Sequence, residues 1–288
     1  MSTFAIAGVT GHVGSVVARE LIQRGHQVRG ITRDPARAAT WSAGGGTAAI
    51  GSLDDLEFLT RTLEGVAGFF ALLPEDPFSA DFHGGRRRMA DAMVAAVRDA
   101  RVPHVVLLSA VAAVLPDGNG PAKDLHYFEG ILRDTGTKVS TLRACWFQEN
   151  IGAVIGAASQ MGIYPNLMLS ADSPMPTVAT RDVGQVAASL LIAPPPASEV
   201  IDLVGPMYSP RDLASALGAQ LGRSLQVVDV PPPARVGALV QAGLPQSFAE
   251  EVAELYACFD SGRVRPQGER ALTATTTIQE TLASIVRR

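Results

Sequence analysis

The segment that most constrains the fold is the first turn of the chain. Thr3-Phe4-Ala5-Ile6-Ala7 is an apolar, strand-like run. It ends in Gly8-Val9-Thr10-Gly11-His12-Val13-Gly14, where every third residue is glycine. Helix-forming residues follow from Ser15 to Ile22. Glycines let a backbone bend sharply and come close to a pyrophosphate. The helix N-terminus then offers that group free N–H donors and the positive end of a dipole. A glycine-rich match means little alone, but directly between a strand and a helix it marks a dinucleotide site. Gly8, Thr10, Gly11, His12, Val13 and Gly14 are therefore expected to hold a cofactor, His12 through its backbone more than its ring.

The pattern that begins here continues. Strand-like runs at 27–32, 47–51, 66–73, 105–109 and 139–143 alternate with helical stretches, which predicts an α/β fold with a doubly wound parallel sheet, an extended Rossmann fold. A chain of 288 residues, 47% hydrophobic, can bury such a core. Residues 1–150 are expected to form the dinucleotide-binding Rossmann domain. From 151 to 288 the pattern loosens, and Pro194-Pro195-Pro196 and Pro231-Pro232-Pro233 interrupt it. That region is expected to complete the sheet and to form a small C-terminal α/β substrate lobe.

The end of the second strand chooses the cofactor. An acidic residue there would accept from the ribose hydroxyls of NAD, whereas a cation suits the 2′-phosphate of NADP. The strand ends in Arg33, 19 residues after Gly14, with Arg37 one helical turn further on. Asp34-Pro35 is a helix start with proline at its first position, so Asp34 is read as a cap and Arg33 as the phosphate clamp. The expected cofactor is NADP(H).

Ligands in such sheets lie at the C-terminal ends of the strands. Leu72, Leu73 and Pro74 close the fourth apolar run and should border the cofactor, as should Ser109 at the end of the fifth. Leu53 is placed to pack on an adenine. Phe78, Phe82, Trp146, Phe147 and Tyr164 are apolar or aromatic candidates for a substrate pocket, and Asn150 is added from the same segment as Trp146. The stripe Met89, Met93 and Val97 reads as core, and Arg86-Arg87-Arg88 as the solvated start of a helix.

These residues resemble the NmrA-like branch of the atypical short-chain dehydrogenases/reductases. The resemblance covers almost the whole chain. It is carried by Gly8-x-Thr10-Gly11-x-x-Gly14, Thr32-Arg33-Asp34-Pro35, Leu108-Ser109, Thr141-Leu142-Arg143-x-x-Trp146-Phe147-x-Glu149-Asn150, Ala179-Thr180-Arg181-Asp182-Val183 and Leu203-Val204-Gly205-Pro206. It implies an extended Rossmann domain with a small substrate lobe. It also implies that Ala144, Cys145, Trp146 and Phe147 run past the nicotinamide, with Arg143 structural. Members of the family include NADPH-dependent quinone and azo-type reductases, isoflavone-reductase-like enzymes and NADP-binding redox regulators.

The proton chemistry departs from relatives. A Tyr-x-x-x-Lys pair is ruled out, because the only lysines are Lys123 and Lys138 and the residues four before them are Asn119 and Asp134. Several relatives place Lys or His at the start of the helix before the sixth strand. Aligned on Glu129 and Gly136, that slot holds Leu125. Lys123, His126 and Tyr127 lie within two residues of it. His126 and Tyr127 are the catalytic candidates, His126 as an acid–base group near neutrality and Tyr127 as a donor to a substrate oxygen. Lys123 is counted with the cofactor residues.

Two readings follow. One is an NADPH-dependent reductase of a small apolar carbonyl, quinone or conjugated compound. The other is a non-catalytic NADP(H)-binding regulator that senses redox state through a protein partner. A net charge of −4 gives no bulk attraction to nucleic acid, and no apolar run reaches the length of a membrane span. The start of the chain has no basic leader, and Cys145 and Cys258 form no CxxC motif, so a cytoplasmic monomer or homodimer is expected. The five histidines show no paired spacing, and no metal is expected.

Overall fold

The computed structural model describes residues 1–42 and 44–286. From the N-terminus run β1 (Thr3–Ala7), α1 (His12–Gln23), β2 (Gln27–Thr32), α2 (Pro35–Ser42), β3 (Thr47–Ile50), α3 (Leu56–Leu63), β4 (Gly68–Ala71) and α4 (Phe82–Asp99). There follow β5 (His104–Ala110), α5 (Ala122–Arg133), β6 (Lys138–Ala144), β7 (Trp146–Phe147), α6 (Ile155–Met161), β8 (Ile163–Asn166), β9 (Met175–Val178) and α7 (Thr180–Ile192). The chain ends with β10 (Glu199–Val204), β11 (Met207–Tyr208), α8 (Pro210–Leu221), β12 (Gln226–Asp229), α9 (Arg235–Gln241), α10 (Gln246–Asp260), β13 (Arg270–Thr273) and α11 (Ile278–Ile285).

Among the described residues, eight strands form one sheet in the order β13-β10-β6-β5-β4-β1-β2-β3, with every pair parallel. Burial follows position in that order. All four residues of central β4 are buried, whereas the edge strands β3 and β13 are largely open. Strands covered on both faces must be apolar throughout, and the run Val66–Leu73 is the sequence form of that requirement.

Strand alternation divides the core into two layers. Phe4 and Ile6 of β1 point to one face, where they meet Val13, Val17 and Leu21 of α1 and Val183 and Ala187 of α7. Ala5 and Ala7 point to the other, with Leu59 and Leu63 of α3, Met93 and Val97 of α4 and Phe128 of α5. A third cluster, Ile151, Ala158, Tyr164, Leu213, Leu217, Ile278 and Leu282, is the core of the smaller lobe. Its strands are brief: β11-β9-β7 form one small sheet and β12-β8 another.

The chain enters this lobe after β6 and returns to the large sheet twice, as β10 and as β13. Two sequence motifs fasten the return. Glu149 accepts from Thr180 N at 3.0 Å and Thr180 Oγ1 at 2.7 Å, capping α7. Asp182 accepts from Thr276 N at 3.0 Å and Thr276 Oγ1 at 2.6 Å. Gln148, fully buried, donates to Thr177 Oγ1 and Thr276 O and accepts from Thr281. The Trp146–Asn150 and Thr180–Asp182 segments thus act in part as fasteners for the C-terminal tail.

Candidate functional site

In the large sheet β1 has β2 on one side and β4 on the other, so the strand order reverses there and opens a crevice at the C-terminal strand ends. The glycine-rich turn lies at that point. Gly8 has φ +63°, a conformation natural to glycine. Gly11 N donates to Gly8 O at 2.8 Å. A Cβ on Gly14 would stand 2.3 Å from Gly8 O, so α1 approaches β1 closely only because that atom is missing. Gly11 is the N-cap of α1, and no side chain caps it. An uncapped helix start with an open backbone cradle fits a pyrophosphate. Within the turn, Gly11 and His12 are exposed, while the Val13 side chain belongs to the core, leaving its backbone to the site.

Beyond β2, Asp34 Oδ1 accepts from Ala36 N at 2.9 Å and Arg37 N at 3.2 Å, so Asp34 caps α2. Arg37 leans back over the turn and donates through Nη2 to Thr10 O. Arg33 is exposed, with no partner for its guanidinium among the described residues. Two cations therefore flank the place where β2 meets the glycine turn, and Asp34 is engaged elsewhere.

On the other side of the crevice, Leu72 packs against Gly8, whose added Cβ would meet Leu72 Cδ2 at 3.1 Å. Leu73 and Leu53 are both buried in the α3–α4 layer of the core. The Ser109 hydroxyl donates to Glu129 Oε1 at 2.5 Å, and Glu129 also takes Arg143 Nε at 3.0 Å and Nη2 at 2.6 Å. All three groups are buried, so this is a structural ion pair beneath the crevice and the Ser109 side chain is committed to it. Ala144 and Cys145 are buried, and burial pushes the Cys145 thiol up to about 12, which keeps it protonated.

The six pocket candidates do not converge. Trp146 packs with Tyr164 in the smaller lobe, whereas Phe147 turns to the α1–α7 layer. Phe82 stacks edge-on against Phe248 of α10, centroids 5.1 Å apart. Phe78 is 74% exposed, and Asn150 is exposed as well.

The α5 residues are corrected most. Tyr127 Oη donates to Asp91 Oδ1 of α4 at 2.7 Å, and this bond raises the pKa of the phenol. Its proton is committed across the α4–α5 contact. His126 Nδ1 lies 2.8 Å from Ala113 O. A carbonyl only accepts, so Nδ1 is the donor in this contact. Lys123 Nζ is 3.0 Å from Glu251 of α10, so the amine is paired across the α5–α10 contact.

Sequence reasoning missed the group beside these residues. Asp124, fully buried, accepts from Arg86 Nε at 3.2 Å and Arg87 Nε at 3.3 Å and pairs with His83 Nδ1 at 2.7 Å. Arg86 is 2% exposed and also donates to Pro74 O and Pro121 O, joining the loop after β4 to the start of α5. The expectation of a solvated arginine triplet holds for Arg88, which pairs with exposed Asp81, and fails for Arg86.

His83 and Lys123 also reach α10. His83 Nε2 stands 3.0 Å from Glu251 Oε1. Burial opposes the charge of Glu251, but His83 and Lys123 outweigh it and hold the carboxyl below its usual range. A carboxylate depressed in the folded state stabilises above its unfolded pKa, about 4.3, and that stabilisation is lost as pH falls through the lower folded value. Glu251→Gln is expected to lower the melting temperature at pH 7 by about 2 °C, since a partly exposed pair is worth about 1 kcal/mol. The gap between variant and wild type should begin to narrow only as pH falls past about 4.3 and close below the depressed folded value; thermal melts across that range check it.

The family model for the NmrA-like family matches residues 1–282. The chain is 25% identical over 253 residues to an NAD(P)H azoreductase of Xenophilus azovorans, covering 88% of this chain and 85% of that protein. It is 26% identical over 253 residues to quinone oxidoreductase 2 of Escherichia coli, covering 87% and 85%. Its fold is similar to the crystal structure of an NADPH-dependent quinone oxidoreductase of Escherichia coli complexed with NADPH, with a TM-score of 0.81, 23% identity and coverage of 98% and 99%.

Proposed function

The chain belongs to the NmrA-like family, and from that premise we propose that it is an NADPH-dependent oxidoreductase that passes hydride to a flat, apolar quinone, azo or conjugated carbonyl compound. The observation that carries this reading is the uncapped start of α1 over the Gly8–Gly14 cradle, flanked by Arg33 and Arg37. The names of the relatives, an azoreductase and a quinone oxidoreductase, point the same way.

In this reading the backbone N–H groups at the start of α1 hold the pyrophosphate. Arg33 takes the 2′-phosphate, and Arg37 supports it from Thr10 O. Leu72 and Pro74 border the cofactor, and Trp146 lies on the nicotinamide side, because the arginines place the adenosine half over β2. NADPH supplies the hydride when bound, and the protein supplies orientation and exclusion of water. The small molecule is the only partner the reading needs. Among the described residues no helix is long and apolar enough to cross a membrane. Both cysteines are buried free thiols, which suits a reducing compartment, and we assign the protein to the cytoplasm as a monomer or homodimer.

NADPH oxidation with a panel of quinones, azo dyes and enones tests the reductase reading. NADPH binding without turnover on any of them would favour the regulator instead. Arg33→Asp is expected to weaken NADPH by roughly 10- to 100-fold while leaving NADH within about threefold, since one charge-assisted contact is worth about 1.5–3 kcal/mol. Isothermal titration of both cofactors decides it, and an unchanged NADPH preference would remove Arg33 from the site.

A further inference from the structure

α10 rests against the end of the sheet where the crevice opens. Its neighbours are the segments that follow β4 and β5 at their C-terminal ends. After β4, the Phe82 ring meets Phe248 edge-on. After β5, Gly120 lies directly against the helix backbone. An added Cβ there would stand 2.2 Å from Glu251 O, and Gly120 N donates to Glu254 Oε2 at 2.9 Å. With Arg33 and Arg37 drawing the adenosine half of a cofactor over β2, its reacting half and the substrate fall on the side of β4 and β5. α10 flanks that side.

His83 sits at the joint. Its ring belongs to α4, and its two nitrogens face two other helices. Nδ1 is 2.7 Å from Asp124 Oδ2 of α5, and Nε2 is 3.0 Å from Glu251 Oε1 of α10. Asp124 takes Arg86 Nε at 3.2 Å, and Arg86 Nη1 donates to Pro74 O at 3.3 Å. Polar contacts of 3.3 Å or less thus run from the loop after β4, through Arg86, Asp124 and His83, to Glu251 of α10. Arg86 and Asp124 are buried and fixed by their neighbours, and His83 carries their position over to α10. Lys123 Nζ supports the same joint at 3.0 Å from Glu251 Oε2. Without the ring, the Asp124 and Glu251 carboxylates would face each other across the space it fills, and like charges would push α10 away.

We propose that His83 is a positioning residue for the substrate. It holds α10 at a set distance from the loop after β4, and that distance fixes the width of the crevice that a flat substrate enters. The role rests on the reductase reading. His83 acts through α10 and transfers neither hydride nor proton. Its loss therefore weakens substrate binding and leaves the chemical step alone, which is the kinetic pattern of lost uniform binding.

His83→Leu is expected to raise KM for 1,4-naphthoquinone about fivefold, the scale of one partly exposed ion pair, with kcat and NADPH affinity within about twofold of wild type. Glu251→Gln should raise KM by a similar factor. The double variant should rise no further than the larger single one, because both changes break the same contact. Glu199→Gln, which breaks the pair with Arg270 at the far edge of the sheet, serves as the stability control and should leave KM unchanged. An unchanged KM in both single variants overturns the proposal, as does a rise in the double variant equal to the product of the two. A tenfold fall in kcat at constant KM overturns it too, since His83 would then act on the chemical step. A wild type that turns over no compound of the panel overturns the reductase reading instead, and a second readout still decides on His83. In the cofactor-free protein, His83→Leu should speed amide hydrogen exchange over residues 246–260 about fivefold while exchange over residues 12–23 stays unchanged. Equal exchange over 246–260 in variant and wild type would show that His83 does not anchor α10 and would also overturn the proposal.

Discussion

Gly14→Ala is expected to raise the dissociation constant for NADPH at least about 100-fold while lowering the melting temperature by only about 5 °C. The new methyl carbon would stand 2.3 Å from Gly8 O, 2.8 Å from Gly8 C and 3.0 Å from Ala7 O. All three are main-chain atoms and have no rotamer to move to, so α1 must slide outward from β1. Overpacking of this size costs about 1–3 kcal/mol, which in a chain of this length corresponds to a few degrees. Binding suffers more than folding because the N–H groups of α1 must sit within hydrogen-bond range of the phosphate oxygens, and a shift of even 1 Å takes them out of it. Fluorescence titration of NADPH and a thermal melt on the same sample test both halves. An affinity within threefold of wild type would mean that the pyrophosphate does not rest on α1.

Asp124→Ala should be the most destabilising single change among the charged residues discussed. The carboxylate is fully buried and shared by Arg86, Arg87 and His83. Arg87 and His83 reach solvent and can rehydrate, but Arg86 at 2% exposure cannot. Removing one partner of a buried pair costs about 3–5 kcal/mol, because the other charge stays desolvated. A fall of roughly 10 °C in melting temperature is expected. Glu75, 3.8 Å from Arg86 Nη1 and half-exposed, offers weak compensation. The double variant Asp124→Ala, Arg86→Met should recover part of the loss, since it removes the stranded cation as well. If the double variant melts no higher than the single one, the cost lies in packing at α4–α5 and the charge argument fails.

The parts of this molecule that were legible in its sequence are those whose cause is local. The Gly8–Gly14 turn, the Asp34 cap and the strands β1, β2, β5 and β6 each depend on residues within a few positions of one another. Asp34 could be separated from Arg33 because Asp-Pro is itself a helix-start signal. Where the cause is distant, the sequence misled. Three consecutive arginines opening a helix look solvated, and nothing nearby reveals that Asp124, 38 residues on, takes one of them into the interior. His126 and Tyr127 could be singled out but not oriented, because adjacent helical positions differ by about 100°. The brief strands IYPN, MPTV and RALT carry no alternation to detect and exist because neighbouring strands pair with them. Glu149 and Asp182 were visible as motif letters and Gln148 was not, and the work of Gln148 and Asp182 in fastening residues 276–281 required the chain to be folded back.

The late position of β13 bears on how the protein is made. The sheet begins with β1 and is closed at its far edge by β13 (Arg270–Thr273), which is synthesised after the other seven strands. While the chain is still being synthesised, β10 has β6 on one side and nothing on the other. An uncovered parallel strand edge is a template for pairing with another chain. A nascent chain with a complete glycine-rich turn is therefore still exposed to aggregation until β13 emerges. A chain interrupted before Arg270 would keep the nucleotide cradle in its sequence and leave the sheet open at this edge.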